Sequence, residues 1–124
     1  MKTEDENREQ ILVVDDDQGI LDSFDAMLGE DYHLTMADNG ATALEMLSES
    51  NPRLLFLDLK IPRPSGWEVM QWIRDSRIPT VVVVITALPQ DEYEKIAMQL
   101  GVYRYLRKPL DVDEVEGIAT AVLH

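Results

Sequence analysis

Short continuous apolar runs alternate along the chain with stretches in which apolar residues recur every three or four positions. The first run, Ile11-Leu12-Val13-Val14, ends in Asp15-Asp16-Asp17. Four consecutive apolar residues, two of them valine, suit a strand covered on both faces, as in a parallel sheet. Ile20, Leu21, Phe24, Met27 and Leu28 then follow helical spacing, and Gly29 is placed to close that helix. Tyr32, Leu34 and Met36 alternate with His33 and Thr35, which predicts a half-buried edge strand. Asn39-Gly40 signals a turn and opens a helix with the stripe Ala43, Leu44 and Leu47, ended by Asn51-Pro52.

Leu54-Leu55-Phe56-Leu57 is the next continuous strand, closed by Asp58. The loop from Lys60 through Ile61, Pro62, Arg63, Pro64 and Ser65 to Gly66 holds two prolines and cannot be helix interior. Trp67, Met70, Trp72 and Ile73 mark a helix. After Pro79, the β-branched run Val81 to Ile85 predicts a central strand ending at Thr86-Ala87. Pro89 begins a helix with Tyr93, Ile96, Ala97 and Leu100 on one face and Gly101 as its C-cap. Val102 to Leu106 predicts the last strand, ending at Lys108-Pro109. A final helix runs from Asp111 to Leu123, with Val112, Val115, Ile118, Ala119 and Val122 apolar. Strand then helix, five times over, is the pattern of an α/β fold with a parallel sheet and right-handed crossovers.

The chain has 124 residues, a length that argues for one domain. Residues 1–9 read as a polar tail and 10–124 as the folded unit. There is no cysteine, which excludes a disulfide scaffold, a Cys-ligated zinc site and thiol chemistry. No apolar run approaches the ~20 residues of a membrane span, and the polar, acidic start is unlike a signal peptide. A cytoplasmic location is the expectation. Eleven Lys and Arg stand against 24 Asp and Glu, a net charge of −13. Such a domain should repel nucleic acid and an anionic membrane surface. A divalent cation or a basic partner suits it better, although acidity also serves plain solubility.

Position sharpens the chemistry. Each predicted buried strand has an apolar body with a polar residue just past its carboxyl end: Asp15, Asp16 and Asp17, then Asp58, then Thr86, then Lys108. Parallel strands bring these ends to one edge of the sheet, where open α/β sheets bind ligands. Two carboxylates about 4 Å apart repel by ~1 kcal/mol in water and ~4 kcal/mol at an effective dielectric of 20. Lys and a hard divalent cation can offset that, and Mg²⁺ commonly takes carboxylates together with phosphate oxygens. Three acids, a hydroxyl and a lysine therefore suggest a site for Mg²⁺ and a phosphoryl group, with a carboxylate as possible nucleophile. Each piece alone has a plainer reading. The Asp triplet could be a helix cap, Asp58 a turn residue, Thr86 a strand end and Lys108-Pro109 a strand exit.

ILVVDDD, LLFLDLKIPRPSG, VVVVITA and YRYLRKP stand in the order and at the spacings of one family. From about Glu9 to Leu123 the sequence resembles the receiver domain of bacterial two-component response regulators. The resemblance implies a flavodoxin-like, doubly wound sheet of five parallel strands in the order 2-1-3-4-5, flanked by five helices. It makes Asp58 the phosphoacceptor, and Asp15, Asp16, Asp58 and the backbone carbonyl of Lys60 the ligands of Mg²⁺ or Mn²⁺. Thr86 becomes the hydroxyl that follows the phosphoryl group, Lys108 the phosphate-pairing lysine, and Tyr105 the aromatic that swings with Thr86. The Lys108–Pro109 bond is expected to be cis. Ala87, being small, leaves phosphoryl access open. The implied function is Mg-dependent acceptance of a phosphoryl group from a sensor histidine kinase or phosphotransfer protein. That would switch the face of helix 4, strand 5 and helix 5 toward a downstream effector or output domain. Such a protein promotes its own phosphorylation and dephosphorylation without being an enzyme in the usual sense.

Some positions depart from the family pattern. Arg104 precedes Tyr105, and the last helix carries Asp111, Asp113, Glu114 and Glu116, so the dimer mode of the large DNA-binding subfamily is not expected. Pro64-Ser65 stands where Met-Asp or Met-Asn is more usual. His33 and His124 match no phosphodonor motif and read as surface residues. Two rival readings remain: a receiver-like interaction module that acts without phosphorylation, and a small aspartyl-phosphate phosphatase of the haloacid-dehalogenase type. The second wants an Asp where Lys60 stands, and room for a cap. Met1 suggests that the receiver begins the natural chain. Both a single-domain regulator and a receiver cut from a longer protein fit the end at the fifth helix, the latter being preferred.

Overall fold

A computed structural model describes residues 9–124; apart from Glu9, the predicted tail lies outside them. The elements are β1 (Gln10–Val14), α1 (Gln18–Leu28), β2 (His33–Ala37), α2 (Gly40–Glu49) and β3 (Leu54–Leu57). They continue as α3 (Gly66–Ser76), β4 (Val81–Thr86), α4 (Gln90–Gln99), β5 (Arg104–Arg107) and α5 (Val112–Leu123). All strand pairs are parallel, in the order β2-β1-β3-β4-β5. The strand order reverses beside β1, because the chain first steps outward to β2 and then returns to place β3 on the other side.

Alternation along the strands sorts the core into two layers. Leu12, Val14, Leu55, Leu57, Val82 and Val84 face α2, α3 and α4. Ile11, Val13, Leu54, Phe56, Val83 and Ile85 face α1 and α5. Phe24 of α1 and Phe56 of β3 meet at 4.8 Å between ring centroids. Both faces of the three central strands are thereby covered, which is why their sequences are continuously apolar.

Four expectations change in detail. Tyr32 is buried but precedes β2, whose first four residues are all half-buried instead of alternating. β5 starts two residues later than the apolar run suggests and includes Arg107. Val102 still belongs to the end of α4: its N–H donates to the carbonyl of Ala97, and Gly101 N–H donates to Met98. That is a Schellman closure, and Gly101 holds the positive φ of 90° it requires. Ile96 is 48% exposed and Val112 50% exposed, although helical spacing assigned both to apolar faces. α4 meets the sheet through the small Ala97, so the covered stripe is narrow and Ile96 falls at its margin. Val112 opens the first turn of α5, ahead of the sheet. Among the described residues, no helix is long and apolar enough to cross a membrane.

Candidate functional site

Register determines the site. Val14 of β1 is level with Leu57 of β3, so the next residues, Asp15 and Asp58, leave the sheet side by side. Asp58 N–H donates to the carbonyl of Val14 at 2.9 Å, and Asp15 N–H to that of Ala37 at 3.1 Å. These bonds continue the ladders one step past the strands and pin both backbones. Leu57 is level with Val84, which puts Thr86 one residue beyond the level of Asp58. Thr86 is level with Arg107, and Lys108 N–H donates to the carbonyl of Thr86 at 2.8 Å.

The three consecutive aspartates do three different things. Asp15 is wholly buried and Asp16 is exposed. Asp17 caps α1, its carboxylate accepting from Gly19 N–H at 2.8 Å. The plain helix-cap reading thus holds for Asp17 alone. Asp15 Oδ1 accepts from Asp17 N–H at 2.9 Å, so the cap residue's backbone also orients the buried carboxylate. β1 ends before Asp15, which frees Asp15 and Asp16 from strict alternation and lets both reach the same place.

Lys108 Nζ lies 2.7 Å from Asp15 Oδ2 and 3.2 Å from Asp58 Oδ2. Asp58 Oδ1 accepts from Lys60 N–H at 3.2 Å, while the Lys60 residue itself is exposed. Although it lies close to the ammonium, the buried Asp15 Oδ2 has no aligned hydrogen bond, so charge alone compensates it. Burial pushes the Asp15 carboxyl above its ordinary range, against the opposing pull of Lys108 and of Asp17 N–H. Burial also works against the Lys108 ammonium, but the close Asp15 carboxylate and the charge of Asp58 outweigh it and hold Lys108 above the usual lysine range. The two partners respond differently because Asp15 has no exposed surface while the Lys108 side chain retains 19%.

One carboxylate oxygen each from Asp15, Asp16 and Asp58 lies within 4.8 Å of the others. Adjacent ligands of an octahedral Mg²⁺ stand roughly 3 Å apart and opposite ones roughly 4 Å. The three acids therefore fit a small hard cation, and the unbonded Oδ2 of Asp15 is a buried acceptor that such an ion would satisfy.

Thr86 adjoins this cluster through its carbonyl, which accepts from Lys108 N–H, and Tyr105 stands on β5 three residues before Lys108. Thr86 is buried, and its Oγ1 accepts from Leu88 N–H at 3.2 Å. Tyr105 is buried with its hydroxyl donating to the Leu88 carbonyl at 3.0 Å. Burial raises the Tyr105 phenol above its ordinary value, which keeps it a donor. Leu88 thus joins the two residues through opposite ends of its backbone. The Lys108–Pro109 peptide is cis as the resemblance implied, and Arg63–Pro64, which sequence reading did not single out, is cis as well.

Two glycines matter more to this site than the sequence indicated. A Cβ on Gly66 would lie 2.4 Å from the Asp58 carbonyl oxygen, and one on Gly40 would lie 1.7 Å from that of Pro64. Gly66 N–H donates to Leu59 and Gly40 N–H to Pro62. These close approaches hold the Pro-rich loop against the end of β3 and against the start of α2. The available signal was glycine at the first position of a helix, where it is otherwise a poor helix former.

The chain matches the response regulator receiver domain family over residues 11–120. It belongs to that family. The receiver is 32% identical over 108 residues to sporulation initiation phosphotransferase F of Bacillus subtilis, covering 86% of this chain and 87% of the relative. It is 30% identical over 117 residues to the regulatory protein AtoC of Escherichia coli, covering 92% of this chain but only 25% of AtoC. Several other regulatory relatives are matched over about half their length. A crystal structure of a CheY-like receiver domain protein from Methanospirillum hungatei superimposes with a TM-score of 0.84 at 26% identity, covering 94% of each chain. The doubly wound five-strand fold is thus the receiver fold, and acceptance of a phosphoryl group is general to this family.

Proposed function

We propose that this receiver accepts a phosphoryl group on Asp58 from the phosphohistidine of a sensor histidine kinase or a phosphotransfer protein. A carboxylate oxygen of Asp58 bonds to phosphorus as the P–N bond of the donor breaks. The imidazole keeps the electron pair, and Asp58 becomes an acyl phosphate. The observation that carries this reading is the Lys108 ammonium held between Asp15 and Asp58, beside a buried carboxylate oxygen that lacks a hydrogen bond.

Asp15, Asp16, Asp58 and the main-chain carbonyl of Lys60 would hold Mg²⁺ or Mn²⁺. Such an ion, when bound, neutralises the acids and the phosphoryl oxygens that approach them. Lys108 exchanges its contact with Asp58 for a phosphoryl oxygen. Thr86 gives up Leu88 N–H and donates its hydroxyl to the phosphoryl group instead. Tyr105, already bonded to Leu88, follows that loop. The face of α4, β5 and α5 then changes toward a downstream effector or output domain. The protein works as an acceptor and switch that promotes its own phosphorylation and dephosphorylation. It acts in the cytoplasm, as the unit from residue 10 to 124, and its acidity keeps the domain itself off nucleic acid and membranes.

The test is intact mass after incubation with Mg²⁺ and a small acyl phosphate. A labile phosphoryl adduct is expected, absent in Asp58→Ala and absent in chelator. No adduct under any condition would favour the interaction module that works without phosphorylation.

A further inference from the structure

A cleft of about 180 Å³ opens at the sheet edge opposite the acid cluster, between the C-terminal ends of α3 and α4. Its floor is apolar, with Met70, Ile73, Val82 and Val102 among the lining residues, and Arg74 and Arg77 complete the rim. In a chain of net charge −13 with only eleven Lys and Arg, two guanidinium groups on one small cleft are a local reversal of sign. The ion pairs among the described residues are Arg53–Glu9, Lys108–Asp15 and Lys108–Asp58; neither rim arginine takes part in one.

The helix ends work against an anion here. Each C-terminus contributes roughly half a negative charge. Two full guanidinium charges against about one unit leave a positive rim. A plainer role, in which Arg74 stabilises the end of its own helix, accounts for Arg74 but not for Arg77. Arg77 is a C-cap residue in the left-handed region, at φ 56°, and is the one non-glycine residue with positive φ among those described. Glycine or asparagine fills such a position with less strain.

We infer that this cleft is a docking site for a segment of a partner protein that presents one apolar side chain flanked by carboxylates. Size selects that occupant. Dedicated small-molecule sites run from about 300 to 1,000 Å³, whereas a cavity near 150 Å³ admits a single benzene ring. This cleft holds one anchor side chain, and Arg74 and Arg77 pair with acids beside it. Interface energy commonly concentrates in a single anchor filling a pocket, with arginine frequent among the contributors. The site lies across the sheet from Asp58, so its partner can bind without obstructing phosphoryl transfer.

The probe is the capped peptide acetyl-Glu-Glu-Phe-Glu-Glu-amide, titrated into the ¹⁵N-labelled protein. Its counterparts are the same peptide with lysines for glutamates, and free 3-phenylpropionate. The expected result is shifts concentrated on Arg74, Arg77, Ile78, Gly101 and Val102. The affinity should fall at least tenfold in the double variant Arg74→Gln/Arg77→Gln, and rising salt should weaken it. That variant should keep its melting temperature within a few degrees and still take a phosphoryl group on Asp58. Equal binding of the lysine peptide, or shifts centred elsewhere, would overturn the inference. So would binding of 3-phenylpropionate as tight as that of the acidic peptide, or no shift at 5 mM peptide on the order of the weakest useful contact.

Discussion

Asp15 shows what burial does to a single carboxylate. Its folded-state pKa lies above the unfolded value, so the fold favours the protonated form. The associated stability is present below about pH 4 and is lost as pH rises through the folded pKa. In chelator, Asp15→Asn removes that loss. Its melting temperature should exceed that of the parent protein, and the gap should widen between acid and neutral pH, as read by differential scanning fluorimetry. A gap that narrows with rising pH would mean that the Lys108 ion pair outweighs burial. Lys108 is the opposite case. Its raised pKa gives stability that persists past the ordinary lysine range and disappears only as pH climbs through the folded value.

At the scale of elements, helix starts and helix interiors place different demands on glycine. At the start of α3, Ser65 and Glu68 form a reciprocal capping box, and Gly66 rests on the Asp58 backbone. Gly66→Ala must push the loop off the backbone that follows β3. A stability loss of about 1–3 kcal/mol is expected from such overpacking, measurable by urea titration, together with slower phosphorylation of Asp58. In the middle of α5, a Cβ on Gly117 would meet nothing within 4 Å. Gly117→Ala should therefore stabilise the protein by about 0.5–1 kcal/mol through helix propensity alone, with the phosphorylation rate unchanged. A destabilised Gly117→Ala would reveal a contact on that face that the fold does not show. The exposure of Ile96 and Val112 belongs to this scale as well. Periodicity marks the side of a helix that is apolar, but the width of what packs against it decides how much of that side is covered.

For the whole molecule, a cation held by the acid cluster as proposed would couple binding to stability. A cation that binds the folded state alone adds about 2.7 kcal/mol at a hundredfold excess over Kd. Millimolar Mg²⁺ should raise the melting temperature of the parent receiver and do so far less for Asp16→Asn, which removes the exposed carboxylate of the proposed site without disturbing the buried Lys108 contacts. A melting temperature indifferent to Mg²⁺ would count against the cation site. The same cluster shows how much was legible in advance. Asp15, Asp58, Thr86 and Lys108 could be picked out because each follows an apolar strand, and strand ends are local features. Gly40 and Gly66 showed in the sequence only as glycines at helix starts; their roles were hidden, because the atoms that exclude a side chain there belong to residues 24 and eight positions away.

The order of elements, the parallel α/β class and the residues at the strand ends were determined by sequence alone. Hydrophobic period and chain-breaking residues act over a few positions and need no knowledge of the partner across space. Tertiary structure decided the rest. Strand register placed Asp15 beside Asp58, and the return of β5 laid Lys108 across both. Packing divided one run of aspartates into a buried carboxylate, an exposed one and a helix cap. It also turned Tyr105 inward onto the Leu88 carbonyl and gathered Arg74 and Arg77 at a cleft on the far edge. Each of these depends on distances between residues remote in sequence, and a pattern read along one chain contains no such distances.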